Sequence, residues 1–298
     1  MIQGKALVTG VAGAIGSRLA RHLADRGCTV HGVDLFDKGE VTEEAVRGWG
    51  VTPWKRDLTA DSLDGLPEVD YVFHEACQWD AHKGGDPDRR VVMAHNSLMA
   101  ARTVYRWRGA TAIMLASTGG IYGGSAEPKN EDAPPAPDHQ GYHLGKLAME
   151  QIALCYSLQF STPMVILRYF WPISFEGLAQ RYVRAVQDGR AIPGTGASAP
   201  YRWAPIDFAD VLDYTVCSVE LASVPPAVFV CGGPETVSRR QLVEITAAAL
   251  GKQPAFDERP AAWRGYLSDS SRLYAALGEP KLRLTEVVRR AAEAARDG

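Results

Sequence analysis

A glycine-rich turn close to the N-terminus constrains the fold more than any other feature. Gly10, Gly13 and Gly16 are spaced as G-x-x-G-x-x-G, between the apolar run Lys5–Thr9 and a helical pattern at Ile15–Arg26. Glycines at such positions let the backbone turn tightly and approach a pyrophosphate, which then lies at the N-terminus of the helix. The spacing alone is a weak signal, since many turns use glycine for steric reasons. Its place between a strand and a helix predicts a dinucleotide-binding βαβ unit.

An acidic residue after the second predicted strand supports this interpretation. Asp34 ends the run that starts at Thr29 and lies 18 residues after Gly16. A carboxylate here accepts hydrogen bonds from the ribose hydroxyls of adenosine and disfavours the 2′-phosphate of NADP. We therefore predict NAD as the cofactor; the alternative is that Asp34 caps an ordinary loop. Asp57, after the third strand, has two interpretations as well: contact with adenine, or a cap for the segment that follows.

Short apolar runs alternate with helical patterns through the first half of the chain, which predicts an α/β fold. Parallel strands joined by helices form a doubly wound, Rossmann-type sheet with helices on both faces. The predicted strands are Lys5–Thr9, Thr29–Val33, Thr52–Lys55, Tyr71–His74, Ala112–Ala116 and Met164–Arg168, with helices at Ile15–Arg26, Arg89–Trp107 and Tyr142–Phe160.

The alternation of short apolar runs with helical patterns ends after Arg168, which predicts a smaller C-terminal lobe that binds substrate. We expect residues 1–170 to form the NAD-binding domain and residues 171–298 to form mainly the substrate-binding lobe. The segment Ser125–Gln140 carries four prolines directly before Tyr142, and is expected to be a lid or a loop that contacts substrate. The predicted elements of the lobe are helices Phe175–Asp188, Asp210–Leu221, Ser238–Leu250 and Leu284–Ala294, a strand Ala227–Val230 and a loop Gly189–Pro200.

Composition excludes several classes of partner. The 298 residues carry a net charge of −3, which gives no reason to expect binding to nucleic acid or to a membrane surface. No apolar run approaches the ~20 residues that a membrane span needs. The five cysteines are odd in number and never spaced as C-x-x-C, so we expect reduced thiols, no zinc site and a cytoplasmic location.

Three side chains suggest the chemistry. Tyr142 and Lys146 are spaced as Y-x-x-x-K within a helical pattern, so the phenol and the ammonium share one face. A nearby positive charge favours the phenolate, and Lys146 is expected to lower the pKa of Tyr142 so that it works as an acid or base. Thr118 supplies a hydroxyl that holds the reacting oxygen. Next to a dinucleotide-binding loop, these three side chains are suited to a reaction that moves a hydride to or from a carbinol carbon.

These motifs together resemble the extended short-chain dehydrogenase/reductase superfamily, and within it the NAD-dependent epimerase/dehydratase family. Thr9–Gly16 matches T-G-x-x-G-x-x-G, and His74–Cys77 is similar to H-x-A-A. Ser117–Gly123 is similar to S-[ST]-x-x-V-Y-G, and Leu167–Phe170 matches L-R-Y-F. Together with Tyr142–Lys146 these motifs extend over most of the chain, and they are specific for the superfamily but not for a substrate.

The resemblance implies catalytic roles for Thr118, Tyr142 and Lys146, with Lys146 also holding the nicotinamide ribose. It implies substrate contacts at Gln78, Thr118, Gly119, Trp171 and Arg202, and places Trp79, Asp80 and His82 near the same region. His139 and His143 flank Tyr142 without an evident role. The cofactor contacts that it implies are Gly10, Gly13, Ala14, Ile15, Gly16, Asp34, Leu35, Asp57, Leu58, Glu75, Ala76, Asn96, Ala116, Ser117, Tyr142, Lys146 and Tyr169.

Departures from the family pattern reduce the number of reaction types that are expected. Members that eliminate water from nucleotide sugars carry an Asp-Glu pair after the catalytic hydroxyl, where this chain has Gly119 and Gly120. A dehydratase is therefore not expected, and a decarboxylase loses support for the same reason. Trp171 stands where the family has an asparagine that contacts substrate; it either fills space left by a short loop or indicates a differently held substrate. Glu75 replaces an apolar residue, so its charge is expected to be paired or to face substrate.

The favoured function is an NAD-dependent epimerase acting on a sugar or nucleotide sugar through a transient ketone. The alternatives are a net dehydrogenase or ketoreductase acting on a sugar or small alcohol, and a non-catalytic NAD-binding sensor or scaffold. In the family, the helices matching Arg89–Trp107 and Tyr142–Phe160 pair across a two-fold axis, so the resemblance implies a homodimer.

Overall fold

The computed structural model describes residues 2–37, 39–79, 89–137, 141–196, 202–259 and 265–297. The chain divides into two compact units, each assembled from separate stretches of sequence. One unit comprises Met1–Ile121, Pro135–Arg168 and Leu212–Phe229, and the other comprises Tyr122–Pro134, Tyr169–Val211 and Val230–Gly298. The assignment of cofactor and substrate binding to residues 1–170 and 171–298 stays a prediction.

A seven-stranded sheet runs in the order β10-β6-β5-β4-β1-β2-β3. Strand β1 pairs in parallel with β2 and β4, β2 pairs with β3, and β4 pairs with β5. The described strands are β1 Lys5–Thr9, β2 Thr29–Asp34, β3 Thr52–Lys55, β4 Tyr71–His74, β5 Ala112–Thr118, β6 Met164–Tyr169, β7 Pro172–Ile173, β8 Arg202–Trp203, β9 Ile206–Asp207, β10 Ala227–Cys231 and β11 Val237–Ser238.

The order of the strands reverses between β1 and β4, because the chain returns to the far side of β1 after β3. Ligands of open α/β sheets bind at such a switch point, outside the carboxyl ends of the strands. The described helices are α1 Ala14–Asp25, α2 Glu43–Gly48, α3 Arg89–Arg106, α4 Gly141–Phe160, α5 Phe175–Gln187, α6 Phe208–Ser218, α7 Arg239–Leu250, α8 Ser271–Leu277 and α9 Leu284–Asp297.

Apolar strands and helix stripes build the core of the sheet-containing unit. Leu7 of β1, Ile113 of β5 and Ile166 of β6 are buried together with Ala100 on α3 and Met149 on α4. Strands covered on both faces need such continuous apolar runs. Helices α3 and α4 approach closely at Gly145 of α4, where an added Cβ would lie 3.0 Å from the Cβ of Asn96 on α3.

The second unit has its own core between α5, α7 and α9. Phe175 and Tyr182 of α5 pack in one apolar cluster with Leu242 of α7 and Val288 of α9. The start of α7 is a capping box, in which the side chains of Ser238 and Gln241 each accept a hydrogen bond from the other residue's backbone N–H, satisfying donors that the helix cannot pair itself. Two short strand pairs, β8 with β11 and β7 with β9, also belong to this unit.

The predicted doubly wound α/β fold is confirmed. The six strands predicted in the first half all form, and their ends differ from the prediction by two residues or fewer. The prediction missed the short elements, α2, α8 and the two-residue strands, because elements of two to seven residues carry too little periodicity to recognise. Within the described residues, no helix combines the length and apolarity needed to cross a bilayer.

Candidate active site

The glycine turn forms the first wall of the site. Gly10 has φ +70°, a left-handed conformation that favours glycine. An added Cβ at Gly10 would lie 2.7 Å from the backbone nitrogen of Ala76, and one at Gly16 would lie 2.1 Å from the carbonyl oxygen of Gly10. Helix α1 starts after Gly13 with no side chain capping its first turn. Ala14 and Ile15 thus begin a helix with no capping side chain at its first N–H groups.

Asp34 braces this turn with its carboxylate. Oδ2 accepts a hydrogen bond from the backbone N–H of Ala12 at 2.9 Å, while Oδ1 accepts from the N–H groups of Leu35 at 2.7 Å and Phe36 at 3.2 Å. Each carboxylate oxygen accepts more than one hydrogen bond, so the group retains acceptor capacity for hydroxyls. Leu35 is 41% exposed, beside this carboxylate.

The side chains of Asp57 and Leu58 both make contacts within the protein. Asp57 Oδ1 accepts hydrogen bonds from the backbone N–H of Thr59 at 2.7 Å and from the Thr59 hydroxyl at 2.6 Å. These bonds hold the pKa of Asp57 below its ordinary value. The side chain of Leu58 is buried in the apolar core. Asp57 thus caps the turn at residues 58–60 rather than a helix, and contact with adenine stays a prediction.

The segment after β4, residues 75–79, contacts both the glycine turn and Tyr142. Ala76 abuts Gly10, and its N–H donates to the hydroxyl of Thr9 at 3.3 Å. Asn96 holds the other end of the segment: its Oδ1 accepts from the N–H of Gln78 at 2.8 Å, and its Nδ2 donates to the carbonyl of Gln78 at 3.0 Å. The predicted cofactor residue Asn96 therefore shapes this loop.

The structure brings Thr118, Tyr142 and Lys146 together. The Tyr142 phenol is hydrogen-bonded to the side chain of Thr118. Nζ of Lys146 lies 5.9 Å from the centre of the Tyr142 ring and donates to the carbonyl of Ala116 at 2.7 Å. Trp79 packs on Tyr142 with the ring centres 4.3 Å apart. The proximity of Tyr142 and Lys146 follows from their spacing on α4, whereas the position of Trp79 required the loop geometry.

The pKa of Tyr142 corrects one expectation. The sequence predicts that Lys146 lowers it, yet burial raises it well above the ordinary value of 10.0. The neighbouring Cys77 and Glu75 act in the same direction as burial, and the hydrogen bond with Thr118 opposes them. Burial prevails because a phenolate loses more solvation than one neutral hydrogen bond returns.

His74 is neutral beside Lys146. Its ring is fully buried, with Nδ1 2.9 Å from the Thr9 hydroxyl. Burial and then the charge of Lys146 lower its pKa to about 3. A histidine with such a pKa does not exchange protons near pH 7, so His74 contributes structure here rather than acid–base chemistry.

Gly119 and Gly120 follow Thr118 directly, and the ring of His143 accounts for the second of them. They begin a short 3-10 helix, Gly119–Tyr122, whose Gly120 N–H donates to the Thr118 hydroxyl at 3.1 Å. An added Cβ at Gly120 would lie 2.1 Å from Nε2 of His143. The imidazole ring thus fills the space that a side chain at position 120 would need. No role for His143 was evident from the sequence, because this contact joins a strand end to a helix.

A buried charged network lies directly behind Thr118. Arg168 of β6 forms two hydrogen bonds with Glu150 of α4, from Nε at 3.0 Å and from Nη2 at 2.7 Å. The hydroxyl of Ser117 donates to the same carboxylate. The hydroxyl hydrogen of Ser117 is thus engaged by Glu150, and the cofactor contact of Ser117 stays a prediction. Sequence analysis did not single out Glu150, whose only signal is its spacing four residues after Lys146.

The remaining predicted residues belong to the second unit or lie outside the described residues. Tyr169 ends β6 and is buried. Trp171 is half-buried with φ +51° and makes edge-on contacts with Trp203 and Tyr266. Arg202 is exposed on β8. The described range excludes Asp80, His82, His139 and the ends of the predicted loops Ser125–Gln140 and Gly189–Pro200.

The fold and the Thr118-Tyr142-Lys146 set define an enzyme of the extended short-chain dehydrogenase/reductase type. The model of the NAD-dependent epimerase/dehydratase family matches residues 6–231. The chain belongs to this family.

Individual relatives are more distant. The chain is 27% identical over 242 residues to a probable UDP-glucuronate 4-epimerase of Rhizobium meliloti, covering 74% of this chain and 69% of that protein. It is 29% identical over 202 residues to a UDP-N-acetyl-alpha-D-glucosaminuronate decarboxylase of Bacillus cytotoxicus, covering 62% of each protein. The crystal structure of UDP-glucuronic acid 4-epimerase from Bacillus cereus, in complex with UDP-glucuronic acid and NAD, superimposes with a TM-score of 0.76 at 21% identity, covering 98% of this chain and 99% of that one.

Proposed function

We propose that the protein is an NAD-dependent epimerase that acts on a sugar or nucleotide sugar through a transient ketone. One observation carries the proposal: the segment 75–79 contacts the glycine turn through Ala76 and packs on Tyr142 through Trp79. A cofactor site and an acid–base site therefore adjoin within one unit. Relatives that are UDP-glucuronate 4-epimerases support the reaction type.

NAD fits the residues present. The Gly10 turn leaves backbone in a place where a Cβ would collide, and the uncapped start of α1 suits a pyrophosphate. Asp34 would accept hydrogen bonds from the ribose, and Lys146 would hold the second ribose. NAD would supply the acceptor, and afterwards the donor, of the hydride.

The protein side chains would handle the proton and the oxygen. Tyr142 would take the proton from the substrate hydroxyl as the ketone forms and return it to the same oxygen at the end. Thr118 would hydrogen-bond that oxygen and keep it in line with Tyr142. Burial that favours the neutral phenol suits the return of the proton.

The residues next to Thr118 favour epimerisation over elimination. The two positions after it are Gly119 and Gly120, and the His143 ring occupies the adjoining space. The described residues thus offer no carboxylate at these positions to remove an α-proton or protonate a leaving group. A cycle that oxidises and reduces the same carbon needs neither.

Cofactor retention tests the proposal. We expect freshly purified protein, once denatured, to release close to one NAD per chain, and to convert UDP-glucuronic acid or UDP-glucose into its 4-epimer when products are followed by NMR. The reason is that a redox-neutral cycle regenerates the cofactor in place. Protein that arrives empty, binds added NAD and accumulates NADH with an alcohol substrate would indicate a dehydrogenase or ketoreductase instead. Bound NAD without turnover of any tested sugar would indicate the sensor or scaffold.

We also propose that the protein is a cytoplasmic homodimer paired through α3 and α4. Within the described part of the chain, six of the nine exposed large apolar side chains lie on these two helices. Exposed apolar area concentrated on one surface is typical of an association site. The six are Val91, Met93, Leu98 and Tyr105 on α3, and Leu154 and Leu158 on α4.

A charge placed on this surface should separate the subunits. Leu158 is 56% exposed, so Leu158→Lys should leave the fold intact while burying an unpaired charge in any dimer. We expect light scattering to report the mass of two chains for the wild type and of one chain for the variant. The matched control is Val224→Lys, which changes an apolar side chain 41% exposed outside α3 and α4 and should leave the mass unchanged. A monomeric wild type would contradict the proposal.

A further inference from the structure

Three buried side chains form a hydrogen-bonded network next to the proposed catalytic residues. Glu150 is 4% exposed, Arg168 is 7% exposed and Ser117 is 2% exposed. The carboxylate accepts two hydrogen bonds from the guanidinium and one from the serine hydroxyl. Buried charges require such complete pairing, so the three side chains hold one another in one arrangement.

The network lies where two catalytic elements meet. Ser117 directly precedes Thr118 on β5. Glu150 lies four residues after Lys146 and eight after Tyr142, so the three side chains share a face of α4. Lys146 also donates to the carbonyl of Ala116. Helix α4 is therefore bonded to β5 at two consecutive residues, both immediately before Thr118.

We propose that Glu150, oriented by Arg168, is a positioning residue that holds the Thr118 end of β5 against the Tyr142 face of α4. The inference rests on the proposed function for its catalytic consequence, and on the three buried hydrogen bonds for its geometry. Ser117 transmits the position of Glu150 to the strand, because its hydroxyl is the contact between the charged pair and β5. Small displacements of a catalytic hydroxyl reduce turnover strongly while leaving binding intact.

The test compares two serines. Ser117→Ala removes the contact with Glu150 but retains the Arg168–Glu150 pair, so the fold should survive. The matched control is Ser157→Ala on α4, where a fully buried hydroxyl donates to the carbonyl of Thr162 at 2.8 Å. We expect about a tenfold lower kcat for the first variant, with KM and bound NAD unchanged, and less than a twofold change for the control.

A second readout needs no turnover. Labelling with 3-fluorotyrosine gives one ¹⁹F NMR signal for each of the 11 tyrosines, and the signal missing from Tyr142→Phe belongs to Tyr142. We expect Ser117→Ala to shift that signal and Ser157→Ala to leave it in place. An unshifted signal together with unchanged kcat would overturn the positioning role. A shifted signal in a protein that converts no sugar would refute the proposed function while supporting the positioning role.

Discussion

Tyr142→Phe is expected to lower turnover by about 10²–10⁴-fold while the variant still binds NAD, because it removes one proton-transferring hydroxyl. The side chain keeps its ring, which packs on Trp79 with the ring centres 4.3 Å apart. The loss should appear in kcat rather than in KM, because the proton moves only as the reaction proceeds. Epimer formation and NAD content, measured on the same preparation, provide the check.

Tyr156→Phe is the matched control for this prediction. Tyr156 lies on the same helix, half-buried against Tyr105 and Phe160, and its hydroxyl has no proposed part in catalysis. We expect this variant to keep wild-type turnover. Retained activity in Tyr142→Phe would refute the acid–base role of the phenol, whereas parallel losses in both variants would indicate a structural effect on α4.

Glu150→Ala is expected to lower the free energy of unfolding by about 3–5 kcal/mol, because it leaves the Arg168 guanidinium buried without its counter-charge. Both hydrogen bonds from Arg168 to this carboxylate are lost, and the Ser117 hydroxyl loses its acceptor as well. Chemical denaturation followed by circular dichroism measures the change.

Two comparisons separate the buried charge from other effects of this substitution. Glu293→Ala removes one of the two carboxylates that form exposed ion pairs with Arg289. It should change stability little, because water already solvates these groups. Glu150→Leu combined with Arg168→Leu should recover part of the lost stability, since no charge then remains buried. If Glu150→Ala is as stable as the wild type, Arg168 is not held as the structure places it.

The sequence predicted best where one local rule decides. The glycine turn lies between β1 and α1 as expected, because left-handed backbone and close approach to Ala76 both require glycine. Tyr142 and Lys146 share a face because helix geometry alone places residues four apart side by side. The alternation of apolar runs and helical patterns predicted the sheet in the same way, since covered parallel strands need apolar side chains on both faces.

Contacts between residues far apart in the chain were not predicted, because no local rule describes them. Ser117 matched a cofactor motif, yet its hydroxyl binds Glu150, 33 residues later in the chain. Glu150 looks like an ordinary helix-surface acid until Arg168 on a neighbouring strand is placed beside it. His143 gains its role only because α4 packs over the turn that begins at Gly119. None of these pairings leaves a periodic trace in the sequence.

The pKa of Tyr142 likewise depends partly on local sequence and partly on the tertiary structure. Local spacing determined that a lysine lies near the phenol, and this alone predicts a lowered pKa. The tertiary structure decided the direction of the pKa shift, because burial removes solvent from the phenolate and the nearby Cys77 and Glu75 further disfavour its charge. The sequence by itself thus determined the family, the fold and the identity of the candidate catalytic residues, through rules acting over a few residues. Only the tertiary structure decided their environment, because solvation and buried charge pairing depend on segments far apart in the chain.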